Sequence, residues 1–322
     1  MSEDASSNMP RKRRKTSKHD EKDRMSNLPL CIMDQILSHL STKDALRTCI
    51  LSKSWLCLWK SFTTLHLDDR ELRRRRSNKK IMNKARKKKI HKVFQDFVST
   101  ILAGLTNSTI QSFSLNLADK YNSCLVNDWI LSVLDRRTRN LVVHHPEKLA
   151  FLHTRSIFSC DSLVQLVLDI DCTVRFPSSV HLPNLEALEL SRLEFTNPSS
   201  ALNASAILMF PDRLDIDACR ILIQFKLVKY LKLGRLEVSN YDGLPEQALA
   251  NLPVFNKLEH LQLGFVYCNL LMHFLRKTPN LTILETQGIL KFDKELLDSA
   301  IVPVCFKTSL KVILIQEGFQ FS

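Results

Sequence analysis

The apolar positions of this chain change period along its length, and each change predicts a different kind of element. From Pro29, whose fixed φ suits an early helical position, Ile32, Met33, Ile36, Leu37 and Leu40 recur at helical spacing and predict a first helix. Ser41 stands three residues before Asp44, the spacing of a capping box, and Ala45, Leu46, Cys49 and Ile50 then repeat the pattern in a second helix. Ser52 can cap a third, in which Trp55, Leu58, Trp59 and Phe62 share one face. A helical unit this small cannot bury its own apolar faces, so part of it is expected to meet a partner. By the burial preference of aliphatic side chains, Ile36, Leu46 and Ile50 are better placed in a core than at an interface.

A fourth helical stripe follows at Val93, Phe94, Phe97, Val98, Ile101, Leu102 and Leu105, with Gly104 marking its end. Beyond it the period shortens to L-x-x-L-x-L, in which alternate residues of a short strand face a core. Units begin at Phe62, Ile110, Thr138, Leu163, Leu185, Val228, Leu258, Leu281 and Leu310. From Ile110 their intervals are 28, 25, 22, 43, 30, 23 and 29 residues; the interval of 43 predicts a degenerate extra unit near Ile207 to Ile216. Helical returns are clearest at Asp128 to Leu134 and Leu270 to Arg276, and Pro183-Asn-Leu and Pro279-Asn-Leu mark entries into strands. The fold class is therefore α/β: a small N-terminal three-helix unit followed by a curved solenoid with a parallel sheet.

The text "NLPLCIMDQILSHLSTKDALRTCILSKSWLCLWKSFTTLHLDD" resembles the F-box of plant F-box/leucine-rich-repeat proteins. The resemblance is carried by the Leu28-Pro29 start, Ile36-Leu37-x-x-Leu40, the Ser-Thr-Lys-Asp turn at 41 to 44, and Leu51-Ser52-Lys53-x-Trp55-x-x-Leu58-Trp59. Leu30 and Cys31 replace acidic residues usual in the family, and Ser54 and Leu56 stand where arginine is common. "FSCDSLVQLVLD", "FPSSVHLPNLEALELSRLEF" and "LPVFNKLEHLQLGF" resemble its repeats, and "VPVCFKTSLKVILIQEG" the opening of the FBD region that often closes such chains. The resemblance implies a non-catalytic substrate receptor of an SCF-type ubiquitin ligase. It docks on a Skp adaptor, and through it on a cullin, while the solenoid binds an unknown target protein. The adaptor contacts it implies are Leu28, Pro29, Ile32, Ile36, Leu37, Leu51, Trp55 and Leu58. It divides the chain into a disordered basic tail (1–25), an F-box (26–69), a basic linker or loop (70–92), a leucine-rich-repeat solenoid (93–300) and a partial FBD-like segment (301–322).

Charge refines this picture only locally. Of the net +13, residues 70–92 hold thirteen Lys/Arg against one Glu and residues 1–24 hold eight against five acids, leaving the remainder close to neutral. Arg11-Lys12-Arg13-Arg14-Lys15 is a nuclear-localisation candidate, and the 70–92 run, with no aromatic interleaved for base stacking, reads as a solvated loop. A nuclear nucleic-acid-associated protein using these runs is the alternative reading, disfavoured because the basic charge is not spread over the fold.

Other chemistry is poorly represented. No run of 18 apolar residues offers a membrane span, and the charged amino terminus lacks a signal-peptide core, so an intracellular protein, nuclear or cytoplasmic, is expected. Nine cysteines without a C-x-x-C pair suggest neither a disulfide framework nor a zinc site. Six glycines assemble no phosphate-binding loop, G-x-S-x-G and H-E-x-x-H are missing, and His144-His145 reads as a polar strand exit, so no cofactor is expected.

Overall fold

The computed structural model describes residues 28–48, 58–73, 84–106, 109–175, 180–196, 208–209, 222, 224–234, 252–290 and 301–316. The first helix, α1 (Leu30–Ser38), follows Pro29 directly, and α2 (Thr42–Thr48) opens with Ser41 as N-cap, the first half of the predicted capping box, while the Asp44 carboxylate takes the Ser41 hydroxyl rather than its N–H. There the Asp44 N–H donates to Ser41 Oγ at 3.2 Å, and the Ser41 hydroxyl donates to Asp44 Oδ2 at 3.1 Å. The predicted third helix falls mostly on residues 49–57, outside the described residues; the 3₁₀ turn Leu58–Ser61 comes directly after them.

The strands are β1 (Thr64–Asp68), β2 (Ser112–Asn116), β3 (Asn140–Leu149), β4 (Gln165–Arg175), β5 (Ala187–Thr196), β6 (Leu208–Met209), β7 (Tyr230–Leu233), β8 (His260–Tyr267), β9 (Ile283–Leu290) and β10 (Val312–Ile315). Nine of them form one parallel sheet in chain order, and β6 hangs antiparallel on the end of β5. Two rows of side chains, apolar except at Thr286, cross the sheet in register. One runs Leu65, Phe113, Leu141, Leu166, Leu188, Leu231, Leu261, Leu284, Ile313. The other runs Leu67, Leu115, Val143, Leu168, Leu190, Leu233, Leu263, Thr286, Ile315. Each enclosed aliphatic side chain contributes about 1.5–3 kcal/mol relative to exposure, and repetition of that contact holds a unit that could not fold alone.

Each strand starts two residues after the predicted unit start. The first apolar residue of the repeat lies in the turn feeding the strand and is buried there, as at Ile110, Leu163, Leu258 and Leu281. The Pro-Asn-Leu entries have a specific use: the Asn184 and Asn280 amides each donate at 2.8 Å to a backbone carbonyl of the preceding unit, at Asp161 and Asn256. The interval of 43 residues, by contrast, is not two repeats. β7 pairs directly with β5, and the one described strand between them runs antiparallel to β5, so the predicted unit near Ile207 to Ile216 adds no rung to the parallel sheet.

The remaining helices, α3 (Arg70–Arg73), α4 (Lys84–Gly104), α5 (Ser123–Leu134), α6 (Thr154–Ile157), α7 (Cys268–Arg276) and α8 (Val304–Thr308), are the return segments. α4 starts nine residues before Val93. The described parts of the 70–92 run, 70–73 and 84–92, are helical where a loop was expected. The reason is tertiary: Lys87 Nζ and His91 Nε2 grip Asp119, beyond β2, at 2.8 and 2.6 Å, while the His91 ring stacks on Tyr121 at 4.8 Å. The other end is held as well, by the Arg136 guanidinium donating to the Leu102 carbonyl at 3.0 Å.

Among the described residues one buried cluster spans the N-terminal helices and the solenoid. Met33, Leu37, Ala45 and Phe62 belong to the same buried cluster as Leu65, Phe94 and Ile110. Polar contacts follow the same boundary: the His66 N–H donates to Thr42 Oγ1 at 2.7 Å, and the Thr106 N–H to the Lys60 carbonyl at 2.8 Å. At the far end, residues 301–316 continue the solenoid with α8 and β10.

Candidate functional site: the outer face of α1 and the open face of the sheet

The first helix divides its apolar stripe between two surroundings. Met33 and Leu37, one turn apart, are 3% and 5% exposed, whereas Ile32 and Ile36, rotated by one residue, are 41% and 38% exposed. Pro29 and Cys31 are exposed beside them, and Leu28 is half-buried against the core. An aliphatic pair left open on a helix whose adjacent row is sealed is what a helical docking face requires.

This division corrects one expectation. Leu37, implied as an adaptor contact, is enclosed by the chain's own core. Ile36, which burial preference alone assigns to the core, is open instead. Leu51 and Trp55 lie outside the described residues, as do Arg11, Lys12, Arg13, Arg14 and Lys15, and for Leu58 the structure describes only the start of the 3₁₀ turn.

The open face of the sheet carries the side chains that alternate with the two apolar rows. From β5 to β9 several are polar neighbours: Lys232 Nζ meets Glu189 at 2.6 Å, His260 Nε2 lies 3.0 Å from Glu285, and the Tyr230 hydroxyl donates to Gln262 Oε1 at 2.9 Å. The Tyr230 ring stands edge-on to His260, with centroids 4.8 Å apart. Burial, then the carboxylates Glu189 and Glu285, push the Tyr230 phenol up to about 12.

Strand alternation separates the two adjacent histidines. His145 turns into the core, where burial lowers its pKa against the raising influence of the Glu147 carbonyl it contacts. His144 turns to the open face, with Nδ1 3.4 Å from Asp169 Oδ2. Asp169 is also held by Arg192, whose Nε donates to Oδ1 at 2.6 Å. Burial alone would raise the Asp169 carboxyl, but these two partners outweigh it and hold it down at about 2. Nothing in the sequence pairs these residues except their spacing of about one repeat, since each comes from a different strand.

Among the described residues no His/Cys/Asp/Glu group has a metal-binding arrangement, and no helix is long and apolar enough to cross a membrane.

The comparisons with known proteins agree with this architecture. Residues 25–67 match the F-box domain family. An F-box/LRR-repeat protein of Arabidopsis thaliana is 30% identical over 240 residues, covering 72% of this chain and 60% of that protein. An F-box/FBD/LRR-repeat protein of the same plant is 30% identical over 259 residues, covering 78% of this chain and 55% of its own length. A further Arabidopsis F-box/LRR-repeat protein is 40% identical over 119 residues, 37% of this chain and 24% of that one. No solved structure matches. The chain matches the F-box family ahead of a repeat solenoid and is similar to plant F-box/leucine-rich-repeat proteins. It spans 60% and 55% of the lengths of the first two relatives.

Proposed function

We propose that this chain is the substrate-recognition subunit of an SCF-type ubiquitin ligase and is itself non-catalytic. The exposed Ile32–Ile36 pair on α1 carries the reading, because it leaves an aliphatic docking face on the module that matches the F-box family. That face, with Leu28, Pro29, Leu51, Trp55 and Leu58, docks on a Skp adaptor and through it on a cullin. The solenoid binds a target protein, and holding the target's lysines near a charged ubiquitin carrier raises their effective concentration while other subunits make and break the bonds. The run Arg11–Lys15 directs the complex to the nucleus.

A pull-down of the full chain with a purified Skp adaptor tests the docking step. Capture by the wild type is expected, with a loss of at least about tenfold in Ile32→Asp/Ile36→Asp if the pair is a binding hot spot. Failure of the wild-type chain to be captured removes the ligase role.

A further inference from the structure

Partway along their length β3, β4 and β5 lose register at the same height. The β3–β4 ladder breaks between His145 and Leu149, and the β4–β5 ladder between Asp169 and Cys172. Bulges of this kind bend a strand and re-aim the side chains there. Arg192 lies at the second break with φ of 60°, the left-handed region that costs a side-chain-bearing residue about 1 kcal/mol or more and persists only where the surroundings enforce it. Its guanidinium turns over the middle of β4, so that beside the Nε bond to the Asp169 carboxylate, Nη2 donates to the Asp169 main-chain oxygen at 2.8 Å.

Together with Asp68, Arg70, Asn116 and His144, this arrangement closes a cup of about 300 Å³, a volume suited to one side chain rather than a large ligand. Asp68, Asn116, His144 and Asp169 are consecutive rungs of a single row across β1 to β4. The hydrogen-bonding capacity left on that wall is mostly donor capacity. Both Asp169 oxygens are engaged and Asp68 Oδ1 accepts the Arg70 backbone N–H at 2.8 Å, so Asp68 Oδ2 is the main carboxylate acceptor left against the N–H groups of two guanidiniums. Arg192 spends Nε and Nη2 on Asp169, leaving guanidinium N–H groups of its planar fork to meet a further acceptor. Formal charge decides what that acceptor is. Two arginines face two aspartates, so the cup has no excess positive field with which to follow a polyanion such as nucleic acid, whose binding depends on releasing many counterions. Its selectivity comes from the direction of its unused N–H groups, and a planar oxyanion matches a guanidinium fork best.

We infer that this cup receives one carboxylate, carried by an acidic side chain of a target protein lying across the open face at the register break; the inference rests on the proposed target-binding role of the solenoid. Titration of the full chain, labelled with ¹⁵N-arginine, by small side-chain probes tests it. The probe N-acetyl-glutamate α-methylamide should shift the Arg192 Nε–Hε signal saturably, and the glutamine and lysine analogues should bind at least about fivefold more weakly. Arg192→Lys, which keeps the charge and loses the fork, should weaken the glutamate probe about fivefold or more, and Arg70→Gln, an exposed position remote from the core, about two- to fivefold. The inference is overturned by a flat wild-type titration, by equal binding of the glutamine or lysine probe, or by wild-type affinity in both variants. Tighter saturation by inorganic phosphate than by the glutamate probe also overturns it, since it marks an adventitious anion site. Adaptor capture by Arg192→Lys should equal that of the wild type, so failure of the cup is distinguishable from failure of the ligase reading.

Discussion

The indole of Trp59 lies against the backbone of Gly104 so closely that a β-carbon at that glycine would sit 2.2 Å from one ring atom and 2.7 Å from another. Trp59 lies within the F-box match and Gly104 ends α4, so this contact is a joint between the N-terminal module and the helix that follows it. Gly→Ala inside a helix normally gains about 0.5–1 kcal/mol. Here the rigid, half-buried ring must move first. We expect Gly104→Ala to destabilise the chain by about 1–2 kcal/mol, as overpacking does, seen as a lower Tm together with a changed tryptophan emission.

The two rows of α1 should respond oppositely to truncation. Leu37→Ala or Met33→Ala opens a cavity in the shared core and should cost about 2–4 kcal/mol in denaturant unfolding. Ile32→Ala and Ile36→Ala should change stability by less than about 1 kcal/mol while weakening adaptor capture. Equal destabilisation by both pairs would mean that the outer row is covered by the chain itself.

Asp169 links the β4 rim to acid stability. Its carboxyl is held at about 2 in the folded chain, below the ordinary value of about 3.9, so the folded state binds its proton less readily than the unfolded state. Its stabilising contribution is therefore present above about pH 4 and lost as the pH falls towards about 2. Asp169→Asn should be less stable by about 1–2 kcal/mol at pH 7, allowing for partial screening at a half-exposed rim. Urea unfolding across that pH range should show the wild type and the variant converging.

Tyr230 gives the complementary alkaline signature. Burial and its two acidic neighbours raise the phenol to about 12, so the folded state retains the proton that the unfolded chain releases near 10. Stability should fall as the pH rises from about 10 to about 12, and the absorbance difference at about 295 nm between wild type and Tyr230→Phe should titrate near the upper value. A difference curve centred near 10 would contradict the enclosure of this ring.

The last rung offers a test of edge behaviour. Ile313 occupies the row position filled by buried Leu284 and Leu261 in preceding units, yet it is 47% exposed, and Val312 and Leu314 are exposed beside it. Exposed apolar edge strands template further pairing. Ile313→Lys should leave Tm within about 1–2 °C and reduce concentration-dependent light scattering, whereas Leu284→Lys, the same change one rung inward, should prevent folding.

Local physics determined much of this protein from its sequence. The N-cap at Ser41, the helical stripe ending at Gly104 and the leucines of each repeat depend on near neighbours or on a period, and the structure keeps all three. Tertiary structure decided the rest. Helical spacing put Ile32, Met33, Ile36 and Leu37 on one apolar face, and only the chain's own tertiary packing sealed one row and left the other open. An interval of 43 residues suggested an extra unit, but the pairing of β5 with β7 is a long-range choice that spacing does not record. The basic run looked solvated until Asp119 and Tyr121, far along the chain, gave Lys87 and His91 something to hold. The rim of Asp169, His144 and Arg192 was invisible for the same reason: its members come from three strands and meet only once the sheet is assembled. A sequence fixes period and local hydrogen bonding directly, whereas which faces remain open depends on what the rest of the chain brings against them.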